Sequence, residues 1–170
     1  MPTKPDALEK RVLVALRWLD RRWTKTDPSD RECTAALMQV LERLGKDLGY
    51  HVNRRAPITV RNGEWLFDMI WTSYRKDLLV DVPLVLECEW TPAKLNDDFD
   101  KLLVARARHR VFVFYGYTRQ SVDTALKSFV HRIQRSRLTE PRDRYLFAAW
   151  TDERPYLSTW LQIGRRLTSA

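Results

Sequence analysis

The sequence predicts an α/β domain, a mixed β-sheet flanked by helices. Helix-like and strand-like segments follow in the order α-α-β-β-β-α-β-α-β, an antiparallel meander giving way to alternating elements. Residues 111–117, VFVFYGY, are a nearly all-apolar run of the kind buried on both faces of a sheet. The 170 residues, 44% hydrophobic, suffice for one compact domain and are too few for two.

Residues 6–23 read as an amphipathic helix, with Leu8, Val12, Ala15, Leu16, Leu19 and Trp23 at helical spacing. Pro28 ends it, and Ser29 with Glu32 forms a capping-box pattern for a second helix carrying Leu37, Val40, Leu41, Leu44 and Leu48 up to Gly49. Residues 51–60 are strand-compatible, Asn62-Gly63 signals a hairpin, and Glu64–Trp71, EWLFDMIW, reads as the next strand. Val82–Trp90, VPLVLECEW, is a third strand. Thr91 or Asn96 caps a helix expected to reach about Arg108. After the strand at 111–117 come a helix at about 120–136 and a strand at Arg144–Thr151. The apolar anchors Tyr156, Leu157, Trp160, Leu161 and Ile163 predict a short docked helix for the tail. The helix at 6–23 reads as an addition to a core that is complete without it. It is a candidate homodimer contact, and its removal is expected to leave a folded domain.

Several classes are excluded. No stretch approaches 18 consecutive apolar residues, so no membrane span is expected. The charged start MPTKPDALEKR lacks a signal peptide's apolar run, and a cytoplasmic location is expected. Two cysteines, Cys33 and Cys88, form neither a disulfide framework nor a zinc site. His51, His109 and His131 are isolated and read as structural or surface residues. There is no Gly-rich phosphate loop and no Gly-x-Ser-x-Gly.

Charge is asymmetric. Residues 1–100 carry 16 Lys/Arg against 17 Asp/Glu, whereas 101–170 carry 14 against 5. Arg106, Arg108, Arg132, Arg135 and Arg137 head the basic runs, and arginine at this density suits a polyanion such as DNA.

Three acids stand inside strand-like runs, where acids are depleted: Asp68, Glu87 and Glu89. Alternation places Asp68 on the face of Leu66 and Ile70, and Glu87 with Glu89. Antiparallel pairing of Asp68 with Glu87 centres the connecting turn between Asp77 and Leu78, inside the polar segment. Adjacent carboxylates repel. A divalent cation such as Mg²⁺ or Mn²⁺ would reconcile them, as would an Arg or Lys neighbour or an open sheet face.

With these residues in place the chain resembles the PD-(D/E)XK nuclease superfamily, whose restriction-endonuclease-like core is helix, three-strand meander, helix, strand. The resemblance spans about residues 29–117, leaving 118–170 as a helix, strand and C-terminal extension. It implies Asp68 and Glu87 as metal ligands with the Cys88 carbonyl, Mg²⁺ or Mn²⁺ as cofactor, and DNA phosphodiester hydrolysis. Glu89 then stands as a ligand or water-positioning base, and Glu32 or Glu42 as a candidate additional acid. The motif departs from the family's at two places: Phe67 replaces Pro, and Glu89 occupies the lysine position. Some branches move that lysine to the following helix, which makes Lys101 the candidate and Lys94 the second. The rival readings are a non-catalytic nucleic-acid-binding module on the same fold and a basic protein-interaction domain.

Overall fold

The computed structural model describes residues 4–54, 66–154 and 156–164, with the backbone of 166–169. Asp6 opens α1 (Ala7–Thr26): its carboxylate accepts from the Leu8 and Glu9 N–H groups, and Glu9 reaches back to the Asp6 N–H. Ser29 and Glu32 form the expected capping box of α2 (Asp30–Asp47), and Gly49, at φ +82°, turns the chain beyond it. The remaining elements are β1 (His51–Arg54), β2 (Met69–Arg75), β3 (Leu78–Glu89), a 3-10 turn at Pro92–Lys94, α3 (Leu95–Val104), β4 (His109–Tyr115), α4 (Arg119–Arg135), β5 (Arg144–Trp150), β6 (Leu157–Ile163) and β7 (Arg166–Ser169). Among the described residues no helix is long and apolar enough to cross a membrane.

The seven strands form one mixed sheet in chain order. The pairs β1–β2 and β2–β3 are antiparallel, β3–β4 and β4–β5 parallel, and β5–β6 and β6–β7 antiparallel. The parallel steps need crossovers, which α3 and α4 supply. Side-chain alternation divides the core in two. Met69, Trp71, Leu84, Leu86, Val111 and Val113 pack with α1 and α2, whereas Ile70, Val85, Phe112, Phe114 and Phe147 pack with α3 and α4. Gly45 lets α2 approach the sheet closely, since a Cβ there would lie 2.7 Å from the Trp71 ring.

Four expectations change. β2 begins at Met69, not Glu64: Leu66, Phe67 and Asp68 are bends, and Asn62-Gly63 lies outside the described residues. α3 stops at Val104 instead of Arg108, because the buried Arg110 guanidinium takes the Leu102 and Ala105 carbonyls at 3.1 and 2.6 Å. The tail is strand, not helix. Leu157 packs on the α1/α2 side and Trp160 on the α3/α4 side, an alternation only a strand produces, and β6 covers what would be an open edge of β5.

The fourth change concerns α1, which belongs to the core. Val12, Leu13, Leu16, Leu19 and Trp23 are buried in the same cluster as α2 and the sheet. Trp23 packs between Trp90 and Trp150, at 6.0 and 4.8 Å between ring centroids. At its start, Arg144 from β5 grips the buried Glu9 with Nε–Oε1 2.7 Å and Nη2–Oε2 2.5 Å.

Candidate active site

β2 and β3 run in the register expected from the acids. Met69 opposes Leu86, Ile70 opposes Val85 and Trp71 opposes Leu84, so Asp68, one residue before β2, comes alongside Glu87. A bulge between Trp71 and Tyr74 shifts the ladder beyond it. The turn therefore falls on Lys76-Asp77, both at positive φ, one residue earlier than the undisturbed register places it.

Backbone groups fix both carboxylates. The Cys88 N–H donates to Asp68 Oδ2 at 2.9 Å, and the Asp68 N–H donates to Glu87 Oε1 at 3.3 Å. Glu87 shares the sheet face of Val85, toward α3, and its side chain is 0% exposed. On α3, Lys101 extends Nζ to Glu87 Oε2 at 3.0 Å and to Asp98 Oδ1 at 2.6 Å. The expected lysine thus reaches the acid from the helix that follows the strand. Lys94 is exposed at the start of that helix.

Burial pushes the Glu87 carboxyl up to about 8, and the Asp68 charge adds to the shift; the Lys101 ammonium pulls the other way. Burial alone would lower Lys101, but its hydrogen bonds to Asp98 and Glu87 outweigh that and raise it. Asp98 holds the ammonium whether or not Glu87 is ionised. Native Glu87 therefore keeps a proton that the unfolded chain releases above the ordinary carboxylate range, so stability falls as pH rises toward 8. In chelator, the wild type should lose on the order of a few kcal/mol to this group across that window. Glu87→Gln should remove that loss: its melting temperature relative to wild type rises from pH 5 to pH 8. A constant difference would mean that Glu87 ionises normally.

The other candidate residues are placed elsewhere. Glu89 turns to the Thr91 N–H at 2.6 Å, and Asp68, Glu87 and Glu89 do not converge into a three-carboxylate cluster. Glu32 is occupied in capping α2, the bland role its position predicted. Glu42 pairs with Lys46 at 2.6 Å and Arg54 at 2.7 Å. Both belong to α2, across the sheet from Glu87. Cys88 is a free thiol packed with the α1/α2 core, and burial pushes it well up.

The Arg-rich runs contribute much of their charge to the fold. Arg106 meets Glu140 at 2.9 Å, Arg108 meets Asp81, and Arg132 takes both oxygens of Asp100 at 2.8 and 2.6 Å. Asp81 lies six residues before Glu87 on β3, so Arg108 sits roughly 20 Å from the acid pair. Arg135 and Arg137 are exposed at the end of α4, near where β5 begins. Arg106 and Arg108 precede β4 at the far end of the sheet from Glu87, whereas Arg132 meets Asp100, the residue before Lys101 on α3.

No family model and no curated protein matches the chain. The acid pair and its lysine therefore stand on geometry alone.

Sequence reasoning missed one further cluster. Asp6, Glu9 and His109 place ligand atoms within 4.8 Å of one another. It is an ion-pair network: Arg144 holds both Glu9 oxygens, and His109 Nε2 lies 2.7 Å from Asp6 Oδ2 while Nδ1 lies 2.9 Å from the Pro83 carbonyl. Burial raises the Asp6 carboxyl, but the Glu9 N–H, His109 and Arg144 outweigh it and hold it below the usual range. A cation would have to displace a guanidinium already in place. The contacts of His109, isolated in sequence, come from residues 26 and 103 positions away.

Proposed function

We propose that this chain is a divergent metal-dependent nuclease of the PD-(D/E)XK superfamily that hydrolyses phosphodiester bonds in DNA. The observation that carries the reading is the fully buried Glu87 carboxyl beside Asp68, with the Lys101 ammonium 3.0 Å away. The order α2, β1–β3, α3, β4 supports it, being the order of the restriction-endonuclease-like core.

The donor set suits Mg²⁺ or Mn²⁺, which bind through one or two carboxylates and leave positions for water and phosphate oxygens. Asp68, Glu87 and the Cys88 carbonyl are the groups that would hold it. When bound, such an ion supplies positive charge at the scissile phosphate and lowers the pKa of water. The chain's own residues prepare the site. The Cys88 N–H orients Asp68, the Asp68 N–H orients Glu87, and Asp98 keeps Lys101 charged at the place where phosphate charge builds up. DNA would bind without sequence choice, through its backbone. Arg135 and Arg137 are free for such contacts in this reading, whereas Arg106, Arg108 and Arg132 would exchange a carboxylate for a phosphate.

Nicking of supercoiled plasmid in Mn²⁺ tests the proposal. Wild type should nick, and Asp68→Asn should be reduced at least about a hundredfold, the scale on which removing one electrostatic group acts. Absence of nicking by the wild type, or equal nicking by the variant, would contradict it.

A further inference from the structure

We infer that the outer face of α1, with the groove it forms against α2, docks an acidic segment of a partner protein that inserts one apolar side chain. Lys10, Arg11, Arg17, Arg21, Arg22 and Lys25 are all exposed on this one helix. The two acids of α1 offset them only in part: Glu9 is buried under Arg144, and Asp20 accepts from the Trp150 indole at 3.0 Å while its charge acts on Arg21. The near-zero net charge of residues 1–100 conceals this face, because most of their acids lie elsewhere in the fold.

Among these bases stand Val14 and Trp18, 64% and 45% exposed. With Ala15, Val40 and Leu44 they floor a shallow groove of about 460 Å³, rimmed by Lys10, Arg11 and Arg43, with Asp47 its one acid, paired to Arg43 at 3.9 Å. An apolar centre ringed by cations, with Trp and Arg prominent, has the anatomy of a protein-binding hot spot. Charge complementarity makes the occupant acidic, and the apolar floor requires an aliphatic or aromatic anchor.

Other occupants fit less well. A phosphodiester backbone offers nothing to the apolar floor, and the Arg22 guanidinium already lies 5.7 Å over the Trp18 ring, where a base would stack. Two exposed apolar side chains are too few to seat a helix in a bilayer interface. A second copy would bring the same cations face to face. The groove also lies across the sheet from Glu87 and Lys101, so it is separate from the candidate active site.

Selection from a random peptide display library on the whole protein tests this, with fluorescence anisotropy on the enriched peptides. The selected sequences should carry one aromatic or aliphatic residue flanked by Asp or Glu. Affinity should fall about tenfold or more in Trp18→Ser, in the Arg21→Glu/Arg22→Glu double variant, and when the peptide's anchor becomes Ser. Failure to enrich such peptides, or binding that either variant leaves intact, overturns the inference. So does duplex DNA or a phosphatidylserine vesicle that binds the wild type and is lost in the same variants, or a dimer in sedimentation that Trp18→Ser dissolves.

Discussion

Lys101→Met should reduce Mn²⁺-dependent plasmid nicking at least about a hundredfold at saturating metal, with the fold retained. Met keeps most of the aliphatic stem and removes only the ammonium. Glu87, without its cation, would hold its proton more firmly, so the assay belongs above pH 8, where the ion competes with fewer protons. Lys101→Arg should recover part of the rate, because the charge returns with a different shape. Lys101 also pairs with Asp98, and a purely structural ammonium predicts otherwise: both variants would melt lower while nicking at the wild-type rate per folded molecule. Circular dichroism alongside the nicking assay separates the outcomes.

Deleting residues 1–26 should abolish the folded state. Val12, Leu13, Leu16, Leu19 and Trp23 would be lost from the core. At roughly 1.5–3 kcal/mol each for burial, they approach or exceed the whole net stability of an ordinary domain. The sheet face beneath them, including Leu84, Leu86, Val111 and Val113, would be opened to water. The truncated chain should lose near-ultraviolet dichroism and aggregate. A soluble truncation with cooperative unfolding would restore the view of α1 as an appendage.

Local signals in the sequence were strong where one interaction decides the outcome. The Ser29–Glu32 box and Gly49 bracket α2 as expected, because caps act within a turn or two of chain. Alternation and register placed Asp68 against Glu87, since one antiparallel pairing follows from the acids' positions and a short polar connection. Lys101 was legible only through family resemblance, as nothing in its own neighbourhood distinguishes it from a surface partner of Asp98. The misread elements depended on distant contacts. α3 is cut short by Arg110, the tail is drawn into the sheet by the edge of β5, and α1 is integral because its stripe meets a sheet face assembled from four strands. Arginine counts could not separate Arg144, which serves a buried Glu9 on another element, from Arg137 in solvent.

The proposal's central claim, that Asp68 and Glu87 share a divalent cation, is tested most directly by thermal melting at pH 8 with and without Mn²⁺. Metal at a hundredfold its dissociation constant should stabilise the wild type by about 2.7 kcal/mol, roughly 5–10 °C for a domain of this size. Asp68→Asn and Glu87→Gln should each abolish the increment while melting, metal-free, no lower than metal-free wild type, because each removes a carboxylate that its neighbour repels. Metal-free variants melting well below wild type, with Mn²⁺ moving none of the three proteins, would make the acids structural partners of Lys101 and contradict the nuclease reading.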